Sequence, residues 1–261
     1  MNRANFLKLL STIPFWGYSM KINQFQNIIQ DFPNSDKMPV LFLGHGSPMN
    51  AIEENEFVLG FKKIAQTLPQ PQAILCVSAH WFTKGTKVTA MEMPKTIHDF
   101  GGFPKALFDV QYPAKGSPEL AKLTQQILHP TSVNLDNDWG LDHGAWSVIK
   151  HLYPEANIPV IQLSIDYTQP AHYHFDLAKQ LQSLRYKGVL IIGSGNIVHN
   201  LRLVDFANFH KDNYGFDWAI EMNTIFKEKL GNNDFKALIE YEKLGAAAKL
   251  AIPTPDHYNP L

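Results

Sequence analysis

The stretch PVLFLGHGSPMNAIEENEFVLGFKKIAQTLPQPQAILCVSAHW, residues 39–81, decides the fold. Pro39 to Leu43 is a short apolar run and reads as a strand. Glu56 to Leu68 carries apolar residues at helical spacing until Pro69-Gln70-Pro71 breaks it, and Ala73 to Val77 reads as a second, buried strand. A strand-helix-strand unit of this kind makes its two strands parallel, with their carboxyl ends on the same edge of the sheet. His45 directly follows the first strand and His80 the second, so the unit predicts adjacent strands with two histidines side by side at their ends. Glycines on both sides of His45 let the backbone turn sharply there.

Outward from this unit, strands are expected at Lys87 to Met91, Pro159 to Ile165 and Gly188 to Ile192. Helices are expected at Ser117 to Leu128, Ala145 to Leu152 and Pro170 to Leu184, with Phe216 to Leu230 and Asp234 to Leu250 closing the chain. Alternation of this type specifies an α/β fold: a single three-layer α/β/α domain around a central, mostly parallel sheet, here spanning residues 38–261. Residues 1–37 stand apart as an N-terminal extension. Within it, Asn2 to Lys8 resembles a twin-arginine export signal lacking one arginine. The apolar stretch Leu9 to Trp16 is short and broken by Pro14, which favours a non-exported or degenerate leader.

Lys plus Arg total 23 against 24 Asp plus Glu, a net charge of -1, which argues against nucleic acid or an anionic membrane surface as partner and for a small molecule. No run approaches the roughly 20 apolar residues that span a bilayer. The single cysteine, Cys76, lies in an apolar run and excludes an internal disulfide framework, in keeping with a cytoplasmic protein.

Four histidines follow strand-like runs or sit in an ordered tail: His45, His80, His199 after Gly193-Ser194-Gly195, and His257 in Ile252-Pro253-Thr254-Pro255-Asp256-His257-Tyr258. Imidazole is the commonest transition-metal ligand, and open α/β sheets bind ligands beyond the carboxyl ends of their strands. Tyr258 and Ile252 suggest that the tail docks and delivers His257 to that edge, with Asp256 as its partner or as a ligand itself. His143, between Asp142 and Gly144, marks a helix entry and is placed over the reaction centre in the sharper of its two readings. His98 begins an aromatic, glycine-rich loop, His98 to Pro104, suited to lining a flat pocket. His129, His151, His172, His174 and His210 read as mostly surface residues. Two motifs fail: Gly193-Ser194-Gly195 lacks the spacing of a nucleophile elbow, and Val198 occupies the third glycine of a dinucleotide fingerprint. Ser47 is expected to be a structural or pocket hydroxyl.

Taken together, Gly44-His45-Gly46-Ser47-Pro48, Ser78-Ala79-His80-Trp81, Asp99 to Pro104, Tyr112-Pro113-Ala114, Leu141-Asp142-His143-Gly144, Gly193 to Asn200 and Thr254 to Tyr258 resemble the 4,5-DOPA extradiol dioxygenase family of class III ring-cleaving enzymes, in the family's order. The resemblance implies that His45, His80 and His257 bind a catalytic divalent metal, with His199 the acid/base residue or a fourth ligand in a zinc form. His143 would hydrogen-bond dioxygen or substrate. Many class III enzymes complete their site with a carboxylate where this chain offers His257, which leaves the choice of iron or zinc open.

Such cleavage needs Fe(II) with open positions for a catecholate and O2, though Zn(II) could occupy the same site. His199 would take the second catechol proton, and oxygen would enter beside the two hydroxyl-bearing carbons to give a ring-opened semialdehyde. Trp81, Phe100 and Phe103 are candidates to sandwich the aromatic ring, and Ser47, His98 and Asp99 to complete the pocket. Two other readings use the same residues: a zinc hydrolase activating water, and a non-catalytic interaction protein on this scaffold.

Overall fold

The computed structural model describes residues 32–208, 211 and 214–261, so the leader motif and His210 lie outside the described residues. Six strands form one sheet: β1 (Val40–Gly44), β2 (Ala73–Thr83), β3 (Thr86–Thr89), β4 (Val133–Asp136), β5 (Val160–Asp166) and β6 (Val189–Gly195), in the spatial order β1-β6-β2-β5-β3-β4. The ladder β1, β6, β2, β5 is parallel throughout; β3 runs antiparallel to β5 and parallel to β4.

The expectation that β1 and β2 are neighbours is corrected, because β6 lies between them. Burial explains the order. Every residue of β5 and β6 is buried, the mark of a strand covered on both faces, whereas Val40 in β1 is 50% exposed and suits the edge. A strand-helix-strand unit fixes handedness and direction, but a later strand can still insert between its two halves.

Helices cover the sheet: α1 (Glu56–Ala65), α2 (Lys105–Phe108), α3 (Pro118–Ile127), α4 (His143–Leu152), α5 (Ala171–Gln180), α6 (Asp217–Gly231), α7 (Phe235–Ile239) and α8 (Ala246–Ala251). The helix starts follow their caps: Asn55 accepts from the Phe57 and Val58 amides, Ser117 from Leu120, and Asp142 from Ala145. Two expected helices are shorter than their apolar patterns. The Pro170 to Leu184 segment tightens into a 3-10 turn at Leu181–Lys187 and ends on Gly188 at φ 70. The Asp234 to Leu250 segment breaks into α7, a 3-10 turn and α8, with Gly245 at φ 112 in the joint. The four-residue β4 was not expected from the sequence.

Alternate residues of β2 enter different cores: Ile74 and Cys76 pack with Phe61, Trp146 and Ile149 on the α1/α4 face, while Ala73 and Leu75 pack with Leu120, Leu177 and Leu181 on the other. A third cluster, Met222, Phe226, Leu238, Tyr241, Ala248 and Tyr258, binds helices α6–α8 to the C-terminal tail. The tail is therefore part of the packed structure.

Candidate active site

β2 continues to Thr83, so His80 lies within a strand instead of after one, which corrects the expected end at Val77. The register against β5 passes from Val77↔Leu163 to Phe82↔Ile165, so Ser78 to Trp81 oppose Ser164 alone. This bulge throws His80 out of the ladder and toward His45, whose Nε2 lies 3.3 Å from His80 Nε2. The His257 ring closes the triangle, with centroids 5.2 Å from His45 and 5.0 Å from His80, against 5.0 Å between the first two. One ligand atom from each of the three falls within 4.8 Å of the others.

Each of these rings is held through its other nitrogen. Ser194 Oγ donates its only hydrogen to the Gly144 carbonyl at 2.5 Å, so toward His45 Nδ1, 3.0 Å away, it can only accept. His45 therefore carries its proton on Nδ1 and leaves Nε2 bare. Asp256 Oδ2 sits 2.5 Å from His257 Nδ1 and selects the same tautomer, while Asp99 Oδ2 lies at ion-pair distance, 3.2 Å, from His80 Nδ1 and favours a proton on that nitrogen. Burial, then the charge of the neighbouring imidazoles, pushes the His45 pKa well below the ordinary histidine value. Three imidazoles kept unprotonated on one side and anchored on the other form a donor set that fits a divalent transition metal.

His257 reaches the sheet because β6 ends in glycines. A Cβ on Gly195 would stand 2.2 Å from the His257 carbonyl oxygen, and one on Gly193 2.1 Å from the Pro260 carbonyl. The tail lies directly on the strand, and the Asn196 amide donates to the His257 carbonyl at 2.9 Å. The Gly-Ser-Gly sequence that fails as a nucleophile elbow thus serves as a seat for the tail and a proton partner for His45.

His143 is the first residue of α4, and its ring centroid is 3.9 Å from that of His80. Asp99 Oδ1 accepts the His143 amide at 2.9 Å and lies 3.0 Å from its Nδ1, out of line for a hydrogen bond to the ring. Burial works against the Asp99 charge, but the surrounding His143 and His80 donors hold the carboxyl well below the usual carboxylate range. Beneath α4, fully buried Asp142 accepts from Ser78 Oγ at 2.6 Å, Gln162 Nε2 at 2.6 Å, the Ala145 amide at 3.1 Å and Trp139 Nε1 at 3.2 Å. Ser78 in turn accepts the His80 amide. The cap of α4 and the bulge of β2 therefore share one buried carboxylate.

His199 stacks face to face on His257, centroids 3.5 Å apart and planes 12° from parallel, and is half-buried. Its nitrogen groups with Asp256 and His257, not with the three-histidine set. Burial, and then the His257 charge, lowers its pKa to about 4, so the ring is neutral at physiological pH.

Other expected pocket residues are distributed differently. Phe100 sits edge-on to His143 at 5.4 Å and so reaches the site, and Phe103 packs edge-on against Phe100 at 5.5 Å, one ring farther out. Trp81 does not: it is buried, and its ring stacks on Trp139 at 6.0 Å, a support beneath the site instead of one wall of a ring sandwich. Ser47 is exposed and caps a 3-10 turn by accepting the Met49 amide. His98 bonds the Val110 carbonyl and packs against Phe100, Phe108 and Trp146, which ties down the loop. Asp99 turns toward His80 and His143, so it orients histidines. His151 and His174 are half-buried on the Asn50 and Asp166 carbonyls, not free at the surface. Ser194, Ser78 and Gln162 carried no motif; only their places beside strand residues that feed the site could have marked them.

A family model described as the catalytic LigB subunit of aromatic ring-opening dioxygenase matches residues 39–260. The chain belongs to the LigB family. It is 50% identical over 232 residues, 87% of this chain and 84% of the relative, to the 4,5-DOPA dioxygenase extradiol of Escherichia coli K12. It is 38% identical over 229 residues, 84% of this chain and 83% of the relative, to the protein of the same name from Beta vulgaris. A crystal structure of an uncharacterized Escherichia coli K12 protein superposes with a TM-score of 0.72 at 44% identity, covering 86% of each chain. This LigB member is thus an extradiol ring-opening dioxygenase, an oxidoreductase whose chemistry is metal-dependent. The hydrolase and interaction-protein readings are not favoured.

Proposed function

We propose that this enzyme opens a catechol such as DOPA with O2, using Fe(II) held by His45, His80 and His257. The observation that carries this reading is the triangle of inward-facing nitrogens, each ring fixed by Ser194, Asp99 or Asp256. Three protein ligands leave positions free, and Fe(II) there would supply binding for both catecholate oxygens and the electrons for O2. A small aromatic substrate and O2 are its partners, and the compartment is the cytoplasm.

The chain's own residues handle protons and orientation. His199, neutral and stacked beside the triangle, accepts the second catechol proton, and the nearby Asp256 carboxylate favours the imidazolium that results. His143, aimed from the start of α4 and pinned by Asp99, donates toward the developing oxygen charge. Phe100 and Phe103 form the apolar side of the pocket, where a flat ring packs against an aromatic edge.

Anaerobic reconstitution with Fe(II) followed by O2-electrode assays over a catechol panel tests the reading, with DOPA consumption and a yellow product expected. The His199→Ala variant keeps its metal and loses turnover by about 10²–10⁴-fold, the usual contribution of general acid–base catalysis. No O2 uptake with any catechol by the iron-loaded enzyme would overturn the reading; metal loss in His199→Ala would make that residue a ligand.

A further inference from the structure

The parallel ladder between β1 and β6 runs one residue past β1, where the His45 amide donates to the Gly195 carbonyl at 3.2 Å. Beyond that point side chains replace the backbone as partners, and two asparagines hold the peptide unit that joins His45 to Gly46. Asn50 Nδ2 donates to its carbonyl, on His45, at 2.9 Å, and its N–H, on Gly46, donates to Asn196 Oδ1 at 3.1 Å. Gly46 sits at φ 63, and a Cβ there would lie 2.9 Å from Asn50 Nδ2, so this close grip requires glycine.

The polarity of the two bonds is fixed from outside the site. The Phe57 and Val58 amides at the start of α1 each donate to Asn55 Oδ1 at 3.1 Å, which leaves Asn55 Nδ2 to donate to Asn50 Oδ1 at 2.8 Å. With its oxygen so engaged, Asn50 presents its Nδ2 to the His45 carbonyl. Asn50 is buried, and its own carbonyl accepts His151 Nε2 of α4 at 2.8 Å. At the other end an N–H can only donate, so Gly46 obliges Asn196 to turn its oxygen inward. The Asn196 amide meanwhile donates to the His257 carbonyl at 2.9 Å, so one residue at the end of β6 is bonded to the segments that carry two of the three facing histidines.

We infer that Asn50 and Asn196 are positioning residues: Asn50 as donor and Asn196 as acceptor clamp the peptide after His45, and so aim its ring at His80 and His257. The Ser194 contact fixes the tautomer of that ring, whereas the clamp fixes the backbone from which it springs. Its value to metal binding rests on the proposed ligand role of His45. The same replacement at the two asparagines then has opposite consequences. Asn196→Asp keeps the acceptor for Gly46, but Asn50→Asp sets a carboxylate oxygen against the His45 carbonyl.

Co(II), whose visible spectrum reports its coordination, is the probe for the full-length chain. Asn50→Asp and Asn196→Leu are expected to weaken Co(II) binding about 10–100-fold and to alter its spectrum, while Asn196→Asp stays within about three-fold of wild type. Should Asn50→Asp fail to fold, Asn55→Asp takes its place: aspartate caps α1 as asparagine does but lacks the donor that orients Asn50, and the same weakening is expected. Amide hydrogen exchange gives a readout free of metal, since the exposed Gly46 amide is expected to be protected in wild type and in Asn196→Asp and to exchange freely in Asn196→Leu. Wild-type Co(II) affinity and spectrum in both Asn196→Leu and Asn55→Asp would overturn the inference, as would equal damage from Asn196→Leu and Asn196→Asp, or free exchange at Gly46 in the wild type. A protected Gly46 in a wild type that binds no Co(II) would trace the failure to the ligand reading, and the positioning role would fall with it.

Discussion

Replacing Gly195 by alanine adds one methyl group, and its consequence is set by geometry. The new Cβ would lie 2.2 Å from the His257 carbonyl oxygen, backbone that cannot rotate away. Relief to an ordinary contact needs about 1 Å of movement between β6 and the tail, which also stretches the Asn196–His257 hydrogen bond of 2.9 Å. Overpacking of this kind costs about 1–3 kcal/mol and a lost hydrogen bond about 1 kcal/mol more. The larger effect is on the site, because a 1 Å displacement of a positioned group costs on the order of 10²-fold in rate. Gly195→Ala should therefore lower Tm by several degrees, release metal at lower chelator concentration and cut O2 uptake about 100-fold. Gly231→Ala, at the end of α6 where an added Cβ meets nothing within 4 Å, is the control and should be neutral or slightly stabilising. Full metal content and turnover within two-fold of wild type in Gly195→Ala would refute the claim that the tail's seat positions His257.

Ser194→Ala removes the acceptor that fixes the His45 tautomer, and metal affinity by competitive chelator titration should fall about 10–100-fold. Asp142→Ala leaves Ser78, Gln162 and the Ala145 amide without their shared acceptor in a buried place, and chemical denaturation should show a loss of about 3–5 kcal/mol. Asp136 is pushed up by partial burial but held below its ordinary pKa by the Trp139 and Asp138 amides and Lys87, so its charge stabilises the fold above about pH 4 and that contribution fades as pH falls further. The Tm gap between wild type and Asp136→Asn should accordingly be open at pH 7 and narrow on acidification below 4; a gap that widens would contradict the sign.

Much of the site was legible because histidines at the ends of apolar runs combine chemistry with position. The strand-helix-strand reading correctly placed His45 and His80 at one edge although it put no strand between them: periodicity reports which faces are buried, and the insertion of β6 is decided by long-range burial. The same limit hid the bulge that turns His80, since the run Ser78 to Trp81 has no local signal for how many partners stand opposite it. Trp81 and Asp99 show the complementary failure. An aromatic ring and a carboxylate near a site read as pocket groups, and only tertiary contacts reveal that one props Trp139 and the other orients two imidazoles.

The three facing histidines also tie together distant parts of the chain: His45 and His80 are 35 positions apart (80 − 45), and His80 and His257 are 177 apart (257 − 80). An ion joining them is a cross-link closing a loop of most of the polypeptide. Because an ion binds the folded arrangement and leaves the unfolded chain, it would stabilise the fold through binding, by about 2.7 kcal/mol at a free concentration 100 times its Kd. A metal held by the proposed ligands would act as a clasp as well as a catalyst, so that occupancy and global unfolding become one equilibrium seen from two ends, and metal starvation should deplete the folded enzyme, not only its activity.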